Sequence, residues 1–181
     1  LDVVIAVGAG DFGERRNKLY RNDGGVLTEI SSFIPEFSMG DVSRNAFLRD
    51  FDGDGWLDIY IINDSNSGGF AGNDHVYIAQ VVGASLVGYS EEGQTRIASG
   101  GSLGAACGGI SADLDQDGDA DVYSGNYPGP SQDVGLYNNG SGTLANMTGS
   151  LVPSDSDYTV DVASADMNGD GKIDLLVSNW S

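Results

Sequence analysis

A nine-residue acidic frame recurs three times along the chain, and each copy runs straight into an apolar segment. The copies hold Asp50, Asp52, Asp54 and Asp58; Asp113, Asp115, Asp117 and Asp121; and Asp166, Asn168, Asp170 and Asp174. All three place an oxygen-bearing side chain at positions 1, 3, 5 and 9, and a glycine (Gly55, Gly118 or Gly171) at position 6. Ile59 to Ile62, Val122 to Ser124, and Leu175 to Ser178 follow the three frames. Alternating segments such as Asn45 to Leu48 and Thr159 to Ala163 precede them. Short alternating or β-branched runs on both sides of a turn predict a strand before and after each loop. Self-similarity of this kind points to stacked supersecondary units.

The frame extends further in both directions. Leu1 to Ile5 aligns with Leu57 to Ile61, which makes Asp2 the last acid of a loop whose earlier part is absent from the sequence. Asp2, Asp58, Asp121 and Asp174 then recur at intervals of 56, 63 and 53 residues. A second element keeps phase with them: Leu19-Tyr20, Val76-Tyr77 and Leu136-Tyr137. Two of these lead into Asn22-Asp23-Gly24 and Asn139-Gly140, which are hairpin-turn sequences. Each repeat therefore reads as strand, acidic loop, strand, linker, Leu-Tyr strand, turn, strand. The approximate repeats are 1–49, 50–112 and 113–165, with 166–181 opening another. The predicted fold is all-β: propeller blades of four short antiparallel strands, about three of them in these 181 residues. The 28 glycines suit many tight turns, and no helical periodicity is evident. Alternating apolar positions would bury against neighbouring blades, so no single repeat should be stable alone.

Carboxylates at alternate positions of a tight loop converge on one point, and hard cations take six to eight oxygen ligands. Position 7 (Trp56, Asp119 or Lys172) can add a backbone carbonyl. An EF-hand shares the opening of the frame but needs a bidentate Glu at position 12 and flanking helices. Position 12 here is Ile61, Ser124 or Val177, inside predicted strands. Mg²⁺ resists dehydration by all-protein cages, and Zn²⁺ wants His or Cys, of which the chain has one each. Calcium is the expected ion, at about three sites. The plainer alternative is a set of metal-free Asx turns. Three copies with one donor spacing argue against it. Asn168 lowers the charge of the third loop, and Asp2 alone makes no site.

The acidic frame, the strand after it and the Leu-Tyr-x-Asn-x-Gly segment resemble FG-GAP/VCBS repeats of integrin α-type propellers. The resemblance covers nearly the whole chain, although the stretch 64–105 carries no specific motif, and Asp11-Phe12-Gly13 is only a faint echo of the family's Phe-Gly segment. It implies that the calcium ligands are Asp50, Asp52, Asp54 and Asp58; Asp113, Asp115, Asp117 and Asp121; and Asp166, Asn168, Asp170 and Asp174. It also implies an extracellular or cell-surface setting and a non-catalytic role in adhesion or recognition of a protein or glycan. Further blades are expected from the parent chain or from other subunits. Two other roles compete: a structural subunit of a fibre or surface layer, and a non-catalytic propeller of a larger carbohydrate-active enzyme.

The remaining features fit that reading. A net charge of −19 disfavours nucleic acid as a partner. No stretch is long enough to span a membrane, and no basic leader precedes Leu1, so either a leader was removed or the sequence is a piece of a longer chain. Cys107, the only cysteine, reads as a buried small residue in a glycine- and alanine-rich run. His75 reads as a surface or turn residue rather than a catalytic base. Four sequons begin at Asn63, Asn139, Asn146 and Asn179, of which Asn139 and Asn146 lie at or near a predicted turn. Phe33, Phe37, Trp56, Tyr60, Tyr127 and Trp180 could stack on sugars, with core packing the default for most. The segments 65–72 and 126–130 read as exposed loops.

Overall fold

The architecture follows from the alternation of short apolar strands with tight polar turns. The structure is a computed structural model that describes residues 2–6, 17–35, 42–64, 73–101, 103–127, 132–153 and 157–180. Among these residues, strands form four antiparallel sheets, each an up-and-down meander. The first holds β1 (Val3–Ile5), β2 (Lys18–Asp23) and β3 (Val26–Glu29). The second holds β4 (Ser43–Arg49), β5 (Asp58–Asn63), β6 (His75–Val82) and β7 (Ser85–Glu91). The third holds β8 (Ala106–Ala112), β9 (Asp121–Asn126), β10 (Val134–Asn138) and β11 (Leu144–Asn146). The fourth pairs β12 (Tyr158–Ala165) with β13 (Asp174–Trp180). The all-β expectation holds, with two complete four-stranded units flanked by two partial ones.

Register places the acidic frames. Arg49 pairs with Asp58, Ala112 with Asp121 and Ala165 with Asp174, so each frame closes the hairpin between the first and second strands of its sheet. The Leu-Tyr segments lie in β2, β6 and β10, the strands that pair with β1, β5 and β9. A register shift interrupts each first strand at the same place: Ser43/Asn45, Ala106/Gly108 and Thr159/Asp161.

β5 and β9, the second strands of the two complete sheets, are buried on both faces because each of these sheets lies between two others. Tyr60, Ile62, Val76 and Ile78 of the second sheet pack with Ala106, Val122, Val134 and Leu136 of the third. Ile59, Ile61, Tyr77 and Ala79, on the opposite face, pack with Leu19 of the first. Tyr123 and Val162 carry the next layer. This inter-sheet core is what holds the repeats together, and β5 and β9 are buried along their whole length.

Some local expectations are corrected. Two one-turn helices, α1 (Gly93–Arg96) and α2 (Thr148–Leu151), follow the fourth strands, too short to leave a periodic signal. Cys107 is only half-buried, because it sits at the irregular start of β8. The segments 65–72 and 128–130, Phe37 and the Asp11-Phe12-Gly13 echo lie outside the described residues.

Candidate metal centres

The three acidic loops are wound by the same hydrogen bonds. Position 1 spans the turn: Asp50 accepts from the amides of Gly53 (2.8 Å) and Gly55 (2.9 Å). Asp113 accepts from Gln116 (2.7 Å) and Gly118 (3.1 Å), and Asp166 from Gly169 (2.7 Å) and Gly171 (2.9 Å). Position 3 accepts from the amide of position 5: Asp52 from Asp54, Asp115 from Asp117, Asn168 from Asp170. Position 5 accepts from position 7: Asp54 from Trp56, Asp117 from Asp119, Asp170 from Lys172. The backbone turns left-handed at position 6, and also at position 4, where Gly53, Gln116 and Gly169 stand. Gln116 is the one non-glycine residue with positive φ among the described residues, at 69°.

This winding gathers oxygen. Carboxylate oxygens of Asp50, Asp52 and Asp58 lie within 4.8 Å of one another, and so do those of Asp113, Asp115 and Asp117. Asp54 and Asp121 do not join these clusters, and the third loop brings no three acids so close together. In that loop the Asn168 amide donates to Asp170 at 3.2 Å. An all-oxygen donor set with several carboxylates fits a hard divalent cation and suits zinc poorly.

Position 9 has a second task that the sequence pattern does not reveal. Asp58 is fully buried and accepts from two amides, those of Phe51 and Ala79, each at 2.9 Å. Asp121, also fully buried, accepts from Leu114 at 2.7 Å and Asn138 at 2.8 Å. Asp2 accepts from Asn22 at 2.9 Å, and Asp174 from Met167 at 2.9 Å. Asp58 and Asp121 thus fasten their loops to the third strand of their own sheets, and Asp2 bonds likewise to β2; among the described residues, Asp174 accepts only from within its own loop. Burial pushes Asp58 and Asp121 up to about 6, against the lowering effect of these amides. Asp52 is also raised, by burial and then by the neighbouring Asp54 charge.

A second acidic constellation escaped the sequence reading. Asp74 accepts from the Tyr60 hydroxyl at 2.7 Å and the Asn63 amide at 2.9 Å. Asp133 repeats this with Tyr123 at 2.8 Å and Asn126 at 2.8 Å, and adds the Thr159 hydroxyl at 2.9 Å. The signal was present as Tyr and Asn two and five residues after Asp58 and Asp121. The partner acid follows a connection of variable length, which hides the match. Both acids are buried and hydrogen-bonded on both oxygens, so they act as structural ties.

The other candidates are placed as follows. His75 sits half-buried with Nδ1 at 3.1 Å from Glu91. Tyr60 is core, Phe33 and Trp56 pack against core, and Trp180 is 66 % exposed. Asn139 and Asn146 are exposed, whereas Asn63 is buried and offers no accessible amide in the folded chain. Among the described residues, no helix is long and apolar enough to cross a membrane.

Comparison with protein families matches residues 1–84 and 113–177 to the FG-GAP-like repeat. No curated protein matches the chain.

Proposed function

The chain belongs to the FG-GAP-like repeat family, and from that premise we propose that it is an extracellular β-propeller module that binds a protein or glycan, has no catalytic role, and uses calcium as a structural staple. The observation that carries this reading is the identical winding of three acidic loops, two of which draw three carboxylates within 4.8 Å. Acids held so close by backbone amides repel one another unless a cation is shared among them. Calcium bound there would neutralise that repulsion with oxygen ligands alone. Positions 1 and 3 supply carboxylates to both converging clusters, Asp58 or Asp117 supplies the third, and position 9 of the first two loops fixes the loop to its sheet.

Thermal unfolding with calcium, with magnesium and in chelator, with the mass followed in parallel, tests this. Calcium should raise the melting temperature by mass action on the folded state, and magnesium should do so far less. An unchanged melting temperature in chelator counts against the proposal.

A further inference from the structure

The first acidic loop differs from the other two in what surrounds it. Arg96, at the end of α1, places Nη2 3.9 Å from Oδ2 of Asp52, with both side chains about four-fifths buried. Its guanidinium is fixed on its other edges. Nε donates to Glu92 at 2.7 Å, and Nη1 donates to the carbonyl of Ser141 at 2.7 Å. Ser141 belongs to the β10–β11 turn of the neighbouring sheet. That turn also covers the loop: Asn138 donates to the Phe51 carbonyl at 2.7 Å and accepts from Gly142 at 3.1 Å. A side chain at Gly142 would meet both Arg96 and Asp52. Among the described residues, no basic side chain pairs with an acid of the second or third frame.

We infer that Arg96 is a built-in counter-ion that sets the cation affinity of the Asp50–Asp58 loop and ties that loop to the neighbouring sheet; this rests on the metal reading above. The physical reason is direct. A guanidinium held a few ångströms from one of the three converging carboxylates repels any divalent cation placed among them. Glu92 offsets part of that repulsion, so Arg96 and Glu92 act in opposite directions on the same site. The second loop lacks such a cation and binds more tightly. Because Arg96 also holds Ser141, the first site and the docking of the third sheet are linked through one side chain.

Trp56 occupies position 7 of the first loop, and neither of the other loops has a tryptophan. Terbium luminescence excited at the red edge of tryptophan absorption, where Tyr137 beside the second loop absorbs little, therefore reports this site in the full chain, with calcium as the displacing ion. Arg96→Gln should tighten calcium binding about tenfold, Arg96→Lys should stay near wild type, and Glu92→Gln should weaken it. The tightening should shrink as salt is raised. An Arg96→Gln variant with unchanged or weaker affinity, in a chain that still melts cooperatively in chelator, overturns the inference alone. No sensitised emission from the wild type, together with no calcium effect on melting, overturns the metal reading and the inference with it.

Discussion

The carboxylate of Asp58 accepts a hydrogen bond from the backbone amide of Ala79 at 2.9 Å, joining the end of an acidic loop to a strand 21 residues later. Asp121 with Asn138 and Asp2 with Asn22 repeat it. Candidate ligand and structural clamp are one side chain. Replacing Asp121 by Ala should therefore cost about 3 kcal/mol even in chelator, because two amides lose a charged acceptor inside the fold. Asp117→Ala removes an exposed acid and should cost under about 1 kcal/mol in chelator. Urea unfolding of both variants in chelator measures the difference, and equal costs would mean the clamp is not used.

Burial raises Asp58 and Asp121 from an ordinary 3.8 to about 6 in the folded, metal-free chain. Between about pH 4 and 6 the native state then binds protons that the unfolded chain has released. These two groups thus destabilise the metal-free fold as pH rises through that window. Calcium at the cluster that includes Asp58 competes with the proton there, so its stabilising increment should grow from about pH 5 to 7.5. Melting with and without calcium at several pH values checks this, and a pH-independent increment contradicts it.

Much of this was legible in the sequence, and for a physical reason. The acidic loop needs fixed side-chain oxygens at fixed spacing, so its chemistry is written in consecutive residues. The strands beside it need only alternation, and Val76-Tyr77 and Leu136-Tyr137 were placed from their phase alone. The ties through Asp74 and Asp133 were not legible, since their partners lie 14 and 10 residues upstream across connections of unequal length. The double role of position 9 was hidden too, because its second partner is a backbone amide, which any residue supplies. The half-buried state of Cys107 was missed because a register shift at the start of β8, not composition, exposes it.

Gln116 stands at position 4 with φ of 69°, where the other two loops carry glycine. A left-handed conformation costs a side-chain-bearing residue about 1–2 kcal/mol, offset in part by the greater chain freedom of glycine when unfolded. Gln116→Gly should thus be neutral to stabilising by up to about 1 kcal/mol. A destabilised variant in denaturant unfolding would show that the Gln116 side chain makes up for its backbone.

Thr159 is fully buried, with its hydroxyl oxygen 2.9 Å from Asp133 of the third sheet and 3.0 Å from Asn179 of the fourth. In Thr159→Val the shape is kept and the hydroxyl is lost. The expected cost is about 1–3 kcal/mol, because Asp133 loses one of its buried donors. An unchanged denaturation midpoint would mean that Tyr123 and Asn126 satisfy Asp133 without it.

The most direct test of the account is a calorimetric titration of the full chain with calcium, alongside Asp50→Asn and Asp113→Asn. The wild type should show saturable binding at two or more sites, matching the two converging carboxylate clusters, and each variant should lose one of them. If the wild type gives no saturable heat, or both variants bind as the wild type does, then the acidic loops are turns closed by their own amides and the calcium account is wrong.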